Sequence, residues 1–164
     1  MTDEQYMQLA LQEARAAAAL GEIPIGAVLV VDGEVVAQAH NLRETRHDAT
    51  AHAEVIVIQA ACQKLGRWRL QNSVLYVTVE PCPMCAGAIV NSRIDKVVYG
   101  CPDAKAGGAE SIFNIISNPN LNHTALVVSG VCEAECAQVM QDFFKRRRRE
   151  NKLLKTSQIN DAES

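Results

Sequence analysis

The sequence contains few aromatic residues and no long apolar segment. Phe, Trp and Tyr together make up 4% of its 164 residues, so aliphatic side chains and alanine must fill the core. No stretch approaches the roughly 20 consecutive apolar residues of a membrane-spanning helix. The N-terminal segment also lacks the basic region and the apolar region of a secretory signal. We therefore expect a cytoplasmic protein that makes no contact with a membrane.

The absence of a secretory signal also bears on the six cysteines. Three disulfides are chemically possible, but a reducing compartment makes metal binding or simple burial the better explanation. A chain of this length can bury one hydrophobic core. Because no linker and no internal repeat interrupts the sequence, we expect one domain over residues 1–155 and a disordered tail over residues 156–164.

The net charge of −3 is unevenly distributed. Residues 1–144 carry a net charge of −7, whereas residues 145–155 contain seven basic residues and one acidic residue. Such a run is often only the solvated end of a helix, where cations also interact favourably with the helix dipole. However, Phe143 and Phe144 precede it, and aromatic side chains beside clustered arginines are typical of surfaces that bind single-stranded nucleic acid. We therefore expect an anionic partner at this segment.

Hydrophobic periodicity and turn residues predict an alternation of strands and helices. Asp32-Gly33 between two short apolar runs predicts a β-hairpin, and Thr50 could cap the helix that follows a polar loop over residues 40–50. The predicted strands cover residues 27–31, 34–38, 73–79, 96–100 and 125–129, and the predicted helices cover residues 3–20, 51–66, 83–92, 111–117 and 133–155. This order indicates an α/β domain with a mixed central sheet, in which residues 73–79 form a buried central strand.

Two short stretches contain the residues best suited to chemistry. One is His52-Ala53-Glu54, and the other, 26 residues later, is Pro81-Cys82-Pro83-Met84-Cys85. One imidazole and two thiolates are good zinc ligands, and a catalytic zinc keeps three protein ligands and leaves its fourth position to water. Glu54 could move protons on and off that water. Both stretches are predicted to start a helix, and a helix N-terminus favours the thiolate form of cysteine.

Simpler explanations exist for each part of this pattern. The cysteine pair alone could be a redox pair, half of a structural zinc site or a chance pair, and a structural site would need a fourth ligand such as Cys132 or Cys136. His47 is a rival for His52, but it lies in the predicted loop rather than at a helix start. The coincidence of His-x-Glu with Pro-Cys-x-x-Cys favours a catalytic zinc. Burial in the core is the preferred explanation for the other cysteines.

The pattern His-x-Glu followed by Pro-Cys-x-x-Cys resembles the signature of zinc-dependent nucleobase deaminases. Several longer segments resemble one branch, the bacterial tRNA-specific adenosine deaminases, over about residues 5–150. These segments are residues 21–28, 47–54, 75–88, 91–94, 103–105, 121–123 and 142–144. The zinc-ligand segments indicate only the deaminase superfamily, whereas the two phenylalanines followed by arginines indicate the tRNA branch.

The resemblance implies a three-layer α/β/α fold with a mixed five-stranded sheet. It implies one zinc ion per subunit, held by His52, Cys82 and Cys85, with Glu54 as the proton-transfer residue. The implied reaction is hydrolysis of adenosine to inosine at the wobble position of a tRNA anticodon, in an arginine tRNA, and the implied assembly is a homodimer. By the same resemblance, the substrate contacts would be made by Asn41, Ala53, Asp103, Phe144, Arg147 and Arg148.

Two other functions are compatible with the residues. A deaminase of free guanine or cytosine, or of their nucleosides, would share the zinc ligands but would not need the basic segment of residues 145–155. A non-enzymatic zinc module that binds nucleic acid or protein would tolerate the loss of Glu54 and would show four protein ligands.

Overall fold

Five strands form a mixed sheet at the centre of the computed structural model, which describes residues 1–163. The strands follow the order β2-β1-β3-β4-β5, with β1 antiparallel to β2 and β3, and with β4 parallel to β3 and β5. Their bounds are β1 Gly26–Val31, β2 Glu34–His40, β3 Ser73–Val79, β4 Lys96–Cys101 and β5 Leu126–Val128. The helices are α1 Asp3–Ala19, α2 Arg43–Arg46, α3 Ala53–Leu65, α4 Pro83–Asn91 and α5 Glu133–Glu163. The mixed sheet predicted from the sequence is confirmed.

Helices cover both faces of this sheet. Successive residues of β1 point to opposite faces: Leu29 packs with α3 and α4, whereas Val28 packs with α1 and α5. Two separate hydrophobic clusters result, one on each side. The architecture is therefore the expected three-layer α/β/α arrangement. Within residues 1–163, no helix is both long enough and apolar enough to cross a bilayer.

The hairpin between β1 and β2 turns where the sequence predicts. Asp32 has a φ of 52° and Gly33 a φ of 80°, the positive values that a two-residue hairpin turn requires at both central positions. β3 then lies in the middle of the sheet between β1 and β4, and most of its residues are buried. This central strand leads directly into the segment that contains both cysteines of the predicted zinc site.

Three local predictions in the loops need correction. The predicted loop of residues 40–50 contains the short helix α2, and Thr50 does not cap α3: its amide and hydroxyl donate to Asp48 Oδ1, and His52 occupies the N-cap position. Residues 111–117 are not helical. The amides of Ile112 and Phe113 both donate to the carbonyl of Gly107, five and six residues earlier, rather than to the carbonyl four residues earlier as in an α-helix.

The C-terminal helix differs in length from the prediction. α5 continues to Glu163, so residues 156–163 are helical rather than disordered, with every side chain exposed. Ser164 lies outside the described residues. Helical hydrogen bonds form within the segment itself, and no glycine or proline interrupts it after Glu133. A helix of this length can therefore extend beyond the body of the protein.

Gly26 allows α1 to pack closely on β1, and its replacement by alanine should destabilise the fold. A Cβ at this position would overlap the carbonyl oxygen of Ala10 and lie 2.6 Å from the amide nitrogen of Ala14. Because both are helix backbone atoms, we expect a loss of about 1–3 kcal/mol in the free energy of unfolding, measured by chemical denaturation. Gly87→Ala is the matched control, since among residues 1–163 a Cβ there meets no atom within 4 Å beyond its chain neighbours and the backbone of its own helix. Equal stability of the two variants would contradict this packing.

Candidate active site

His52, Cys82 and Cys85 lie together at the start of two helices. His52 is the N-cap residue of α3, and Cys82 is the N-cap residue of α4, where Pro83 occupies the first turn as predicted. The Nδ1 atom of His52 lies 3.7 Å from Sγ of Cys82 and 3.4 Å from Sγ of Cys85. Two segments that are distant in sequence therefore bring one imidazole nitrogen and two sulfurs to a common point.

These donor atoms fit a tetrahedral zinc ion. Zinc–sulfur bonds of about 2.3 Å and zinc–nitrogen bonds of about 2.0 Å place nitrogen and sulfur about 3.5 Å apart in a tetrahedral site. The two observed distances lie on either side of that value. Within residues 1–163, the donor group consists of these three residues, and neither His47 nor Cys132 nor Cys136 joins it. Three protein donors are typical of a catalytic zinc with one open position.

The interaction between the two thiols moves their pKa values in opposite directions. The hydrogen bond with Cys85 lowers the pKa of Cys82 to about 4, despite partial burial. The same interaction and burial raise the pKa of Cys85 far above its ordinary value. The hydrogen bond with Cys82 also raises the pKa of His52. The site thus stabilises a thiolate next to a proton donor, and a bound cation would favour the second thiolate.

Glu54 lies on the first turn of α3, two residues after His52, and its side chain is buried. Its Oε1 atom has no hydrogen-bond partner among residues 1–163, a costly arrangement for a buried carboxylate. Burial is the main cause that raises the pKa of this carboxyl to about 7. A group with these properties can accept or release a proton near neutral pH.

Asn41 links the end of β2 to the start of α3. It is 2% exposed, and its Oδ1 accepts a hydrogen bond of 2.8 Å from the backbone N–H of Ala53. Among residues 1–163 the amide nitrogen of Asn41 makes no hydrogen bond, and Asn41 lines the cavity described below. Ala53 is fully buried and is not among the pocket-lining residues, so its contact with substrate stays a prediction.

A cavity of about 940 Å³ opens beside the donor group, large enough for a nucleoside-sized ligand. Its lining includes His52, Glu54 and Cys82. Its other walls come from the segment after β4 and from α5, and they include Asp103 and Phe144. The cavity therefore brings together two of the predicted zinc ligands, the predicted proton-transfer residue and three of the predicted substrate contacts, Asn41 being the third.

Some arginines in the basic segment of α5 already make contacts within the protein. The guanidinium of Arg147 lies 4.7 Å from the ring centroid of buried Phe143 and donates to the carbonyl of Gly21. Arg146 donates to the carbonyl of Ala18. These contacts attach α5 to the end of α1. Arg148 is exposed, and neither Arg147 nor Arg148 lines the cavity.

Two buried glutamates that the sequence analysis did not single out hold the segments around the cavity. The carboxylate of Glu22, which is 1% exposed, accepts hydrogen bonds from the amide of Glu44 and from the amide and hydroxyl of Thr45 in α2. Glu80, at the end of β3, accepts five hydrogen bonds from residues 103–111. Both glutamates come at the end of a regular element and are followed closely by a proline, Pro24 after Glu22 and Pro81 after Glu80. That proline is the only local signal of their roles.

Comparisons with known proteins identify relatives of this chain. Residues 1–148 match the family model of the MafB19-like deaminases. A tRNA-specific adenosine deaminase of Bacillus subtilis (strain 168) is 53% identical over 150 residues, which cover 92% of this chain and 93% of the relative. A structure from biochemical and structural studies of A-to-I editing by tRNA:A34 deaminases at the wobble position of transfer RNA has a TM-score of 0.80 and 48% identity, covering 82% of this chain and 98% of that chain.

A more distant neighbour has a different substrate. The crystal structure of a guanine deaminase from Bacillus subtilis aligns with a TM-score of 0.61 and 36% identity, covering 77% of this chain and 83% of that chain. The deaminase fold is thus shared among enzymes for different bases. The tRNA deaminases match this chain with higher identity and coverage than the guanine deaminase does. The chain belongs to the family of tRNA-specific adenosine deaminases.

Proposed function

We propose that this protein hydrolyses adenosine to inosine at the wobble position of a tRNA anticodon, in an arginine tRNA, with one zinc ion per subunit. The observation that carries the proposal is Glu54: a buried carboxylate with an unpartnered oxygen, in a cavity that also contains His52 and Cys82. The deaminase unit would comprise residues 1–155. A tRNA substrate would place the enzyme in the cytoplasm.

His52, Cys82 and Cys85 would hold the zinc ion, which when bound supplies Lewis-acid activation of a water molecule. Glu54 accepts the proton of the attacking water and delivers it to the ring nitrogen beside the amino-bearing carbon. The same carboxylate then takes the remaining proton of the hydroxyl group that has added to that carbon and transfers it to the amino group, and the carbon–nitrogen bond breaks to release ammonia. Water and adenosine are consumed, and inosine and ammonia are formed. The protons remain balanced because Glu54 returns each one that it takes.

The other predicted contacts would orient the base and its neighbours. The free amide nitrogen of Asn41 can donate a hydrogen bond to a base whose reacting carbon lies near Glu54. Asp103 would contact a neighbouring nucleotide, and the half-buried ring of Phe144 offers a surface for stacking. Ala53, Arg147 and Arg148 would complete the RNA contacts. An anticodon loop suits this site because its bases are unpaired, so little energy is needed to extrude one.

The proposal is tested by inosine formation on an anticodon stem-loop RNA that contains a wobble adenosine. The zinc-loaded wild-type protein should form inosine, detected by mass analysis or sequencing, and a stem-loop with guanosine at that position should not react. A panel of stem-loops from different tRNAs would test the preference for an arginine tRNA. Inosine formation on every adenosine-containing loop at equal rates would contradict that preference.

A deaminase of free bases is the second candidate, because the guanine deaminase of Bacillus subtilis shares the fold at 36% identity. Guanine, cytosine and their nucleosides should therefore be assayed with the same preparation. Ammonia release from guanine, without inosine formation on the RNA, would favour this function. The non-enzymatic zinc module is disfavoured because the donor group within residues 1–163 contains three residues rather than four.

The exposed arginine at position 148 should contribute to RNA affinity without affecting the chemistry. Arg148 does not line the cavity, so Arg148→Ala should leave kcat unchanged. Removal of a cation that binds one phosphate lowers the slope of log Kd against log salt by about one unit. We therefore expect a shallower salt dependence of RNA binding, measured by fluorescence anisotropy. Lys155→Ala, at an exposed position further along α5, tests whether the effect is specific. An unchanged salt dependence would remove Arg148 from the RNA path.

We also propose that the subunits form a homodimer. Ile112 and Phe113 are neighbours in the irregular segment after β4, and they are 46% and 51% exposed. Adjacent exposed apolar side chains are typical of protein interfaces. Light scattering should give a mass near twice 17.8 kDa, and Phe113→Glu should shift the mass towards that of a monomer. A wild-type mass of one subunit at micromolar concentration would refute the dimer.

A further inference from the structure

Glu80 lies between the central strand and the metal-binding segment, two residues before Cys82. Its side chain is 3% exposed, and its backbone N–H donates a hydrogen bond of 2.9 Å to the carbonyl of Cys101 at the end of β4. The main chain of Glu80 is thus held by the sheet. Its carboxylate points to the segment that follows β4, residues 103–111, which we term the wall loop.

The carboxylate of Glu80 is the main anchor of the wall loop. Its Oε2 accepts hydrogen bonds from the backbone amides of Ala109 (3.2 Å), Glu110 (2.8 Å) and Ser111 (2.9 Å). Its Oε1 accepts one from the amide of Asp103 (3.0 Å) and another from the hydroxyl of Ser111. One side chain therefore satisfies four backbone N–H groups, which come from both ends of the loop.

Two glycines allow the wall loop to lie directly on Glu80 and on the start of α4. A Cβ at Gly107 would overlap the carboxylate of Glu80, and a Cβ at Gly108 would lie 3.0 Å from backbone atoms of Cys82. The amide of Gly108 also donates a hydrogen bond of 2.7 Å to the carbonyl of Pro81. The wall loop is therefore packed against the same segment that supplies both thiols.

The wall loop also forms one side of the cavity. Asp103 and the three residues after it line the cavity that contains His52 and Glu54. The amide of Asp103 is held by Glu80, while its Oδ1 accepts hydrogen bonds from the amides of Lys105 and Ala106. The position of the Asp103 carboxylate relative to the metal ligands therefore depends on Glu80.

We propose that Glu80 is a positioning residue that sets the distance between the wall loop and the metal-binding segment, and thereby the fit of the substrate against Asp103. The inference rests on the proposed function for the identity of the substrate. Glu80 also lines the cavity, but both of its carboxylate oxygens accept hydrogen bonds from residues 103–111. Its effect on substrate binding is therefore assigned to the loop rather than to contact with the reacting atoms. The carboxylate of Glu80 thus connects Asp103 to the segment that contains Cys82, although Asp103 and Cys82 are more than 20 residues apart in the chain.

Glu80→Gln tests this role with a minimal change of shape. The amide can present only one oxygen, so its NH2 group must face at least one of the backbone N–H donors. We expect the amides of Asp103 and residues 109–111 to exchange hydrogen faster, measured by mass spectrometry, while zinc content is unchanged. KM for the stem-loop should rise on the order of tenfold, with kcat changed by less than about threefold, since leaving a buried donor unpaired shifts the loop rather than the chemistry.

Glu22→Gln is the matched control, because Glu22 is also a buried carboxylate that accepts backbone amides. It should accelerate exchange in residues 43–46 and leave the exchange of the wall loop unchanged.

Gly107→Ala disturbs the contact between Glu80 and the wall loop from the side of the loop, and it should reproduce the effects of Glu80→Gln. If Glu80 acts through Asp103, the variant Glu80→Gln with Asp103→Ala should have a KM no higher than that of the worse single variant.

The possible outcomes separate the two proposals. Unchanged exchange of the wall loop in Glu80→Gln would refute the anchoring role. Faster exchange in Glu80→Gln with an unchanged KM would refute the positioning of the substrate. So would a KM increase in the double variant equal to the sum of the two single effects in free energy. Absence of inosine with zinc-loaded wild-type protein would refute the proposed function instead, and the exchange data would then decide by themselves whether Glu80 holds the loop.

Discussion

Replacement of Glu54 by glutamine should abolish deamination while leaving the zinc site intact. The amide has nearly the shape of the carboxylate, but it can neither accept a proton from water nor return one to the leaving amine. Positioned acid–base catalysis contributes about 10²- to 10⁴-fold. Because Glu54 serves two proton transfers in the proposed mechanism, we expect a decrease in kcat near the upper end of that range. Single-turnover inosine formation measures this decrease directly.

The same substitution should not destabilise the protein. Glu54 is 3% exposed and its Oε1 has no partner among residues 1–163, so the carboxylate is retained at a cost to folding. The free energy of unfolding of Glu54→Gln should therefore equal or exceed that of the wild type, with zinc content near one ion per subunit. Glu34→Gln, at the exposed start of β2, is the control for the change of charge. Retention of activity in Glu54→Gln would exclude Glu54 as the proton-transfer residue.

Loss of one metal ligand should remove both activity and stability. Cys85 is fully buried and its sulfur lies 3.4 Å from Nδ1 of His52, so Cys85→Ala leaves two donors where a zinc ion needs three from the protein. We expect less than about one-tenth of the wild-type zinc content and inosine formation reduced by at least about 10³-fold, because metal activation of water is lost. Elemental analysis and the stem-loop assay provide the two measurements.

Zinc removal from the wild type should reproduce the stability part of that effect. A ligand present at about 1,000 times its Kd stabilises the folded state by about 4 kcal/mol. Chelation should therefore lower the denaturation midpoint of the wild type, and zinc addition should restore it. Cys62→Ala, which replaces a cysteine outside the donor group, should bind zinc and respond to chelation like the wild type. A wild-type midpoint that is insensitive to chelation would show that the three donors do not hold a metal.

Much of the site could be predicted from the sequence because its signals are local. Pro83 at the first turn of a helix and the extended chain before Pro81 define how the cysteine segment leaves the central strand. His52 and Glu54 are two positions apart at a helix start, which is a relation that neighbouring residues establish by themselves. Asp32-Gly33 likewise determines its own turn. In each case the residues that make the structure adjoin one another in the chain.

The predicted helix over residues 111–117 failed for the opposite reason. Its apolar spacing is compatible with a helix, but the amides of Glu110 and Ser111 donate to Glu80, about 30 positions earlier in the chain. A buried carboxylate offers these amides stronger hydrogen bonds than a helix of seven residues could provide, since short helices are marginal without tertiary support. The predicted end of α5 at residue 155 was too early, because no glycine or proline interrupts the helix before Glu163.

The sequence alone determined the alternation of strands and helices, and it predicted the three candidate metal donors and Glu54 as the candidate proton-transfer residue, because those features arise from local periodicity and from chemical types at short spacing. Only the tertiary structure decided how the cavity is closed. Asn41 meets Ala53, Glu22 meets Thr45, and Glu80 holds the wall loop across separations of 12 to 31 residues. Those hydrogen bonds exist because the sheet brings strand ends together, and the position of a strand in a sheet is set by packing rather than by neighbouring residues.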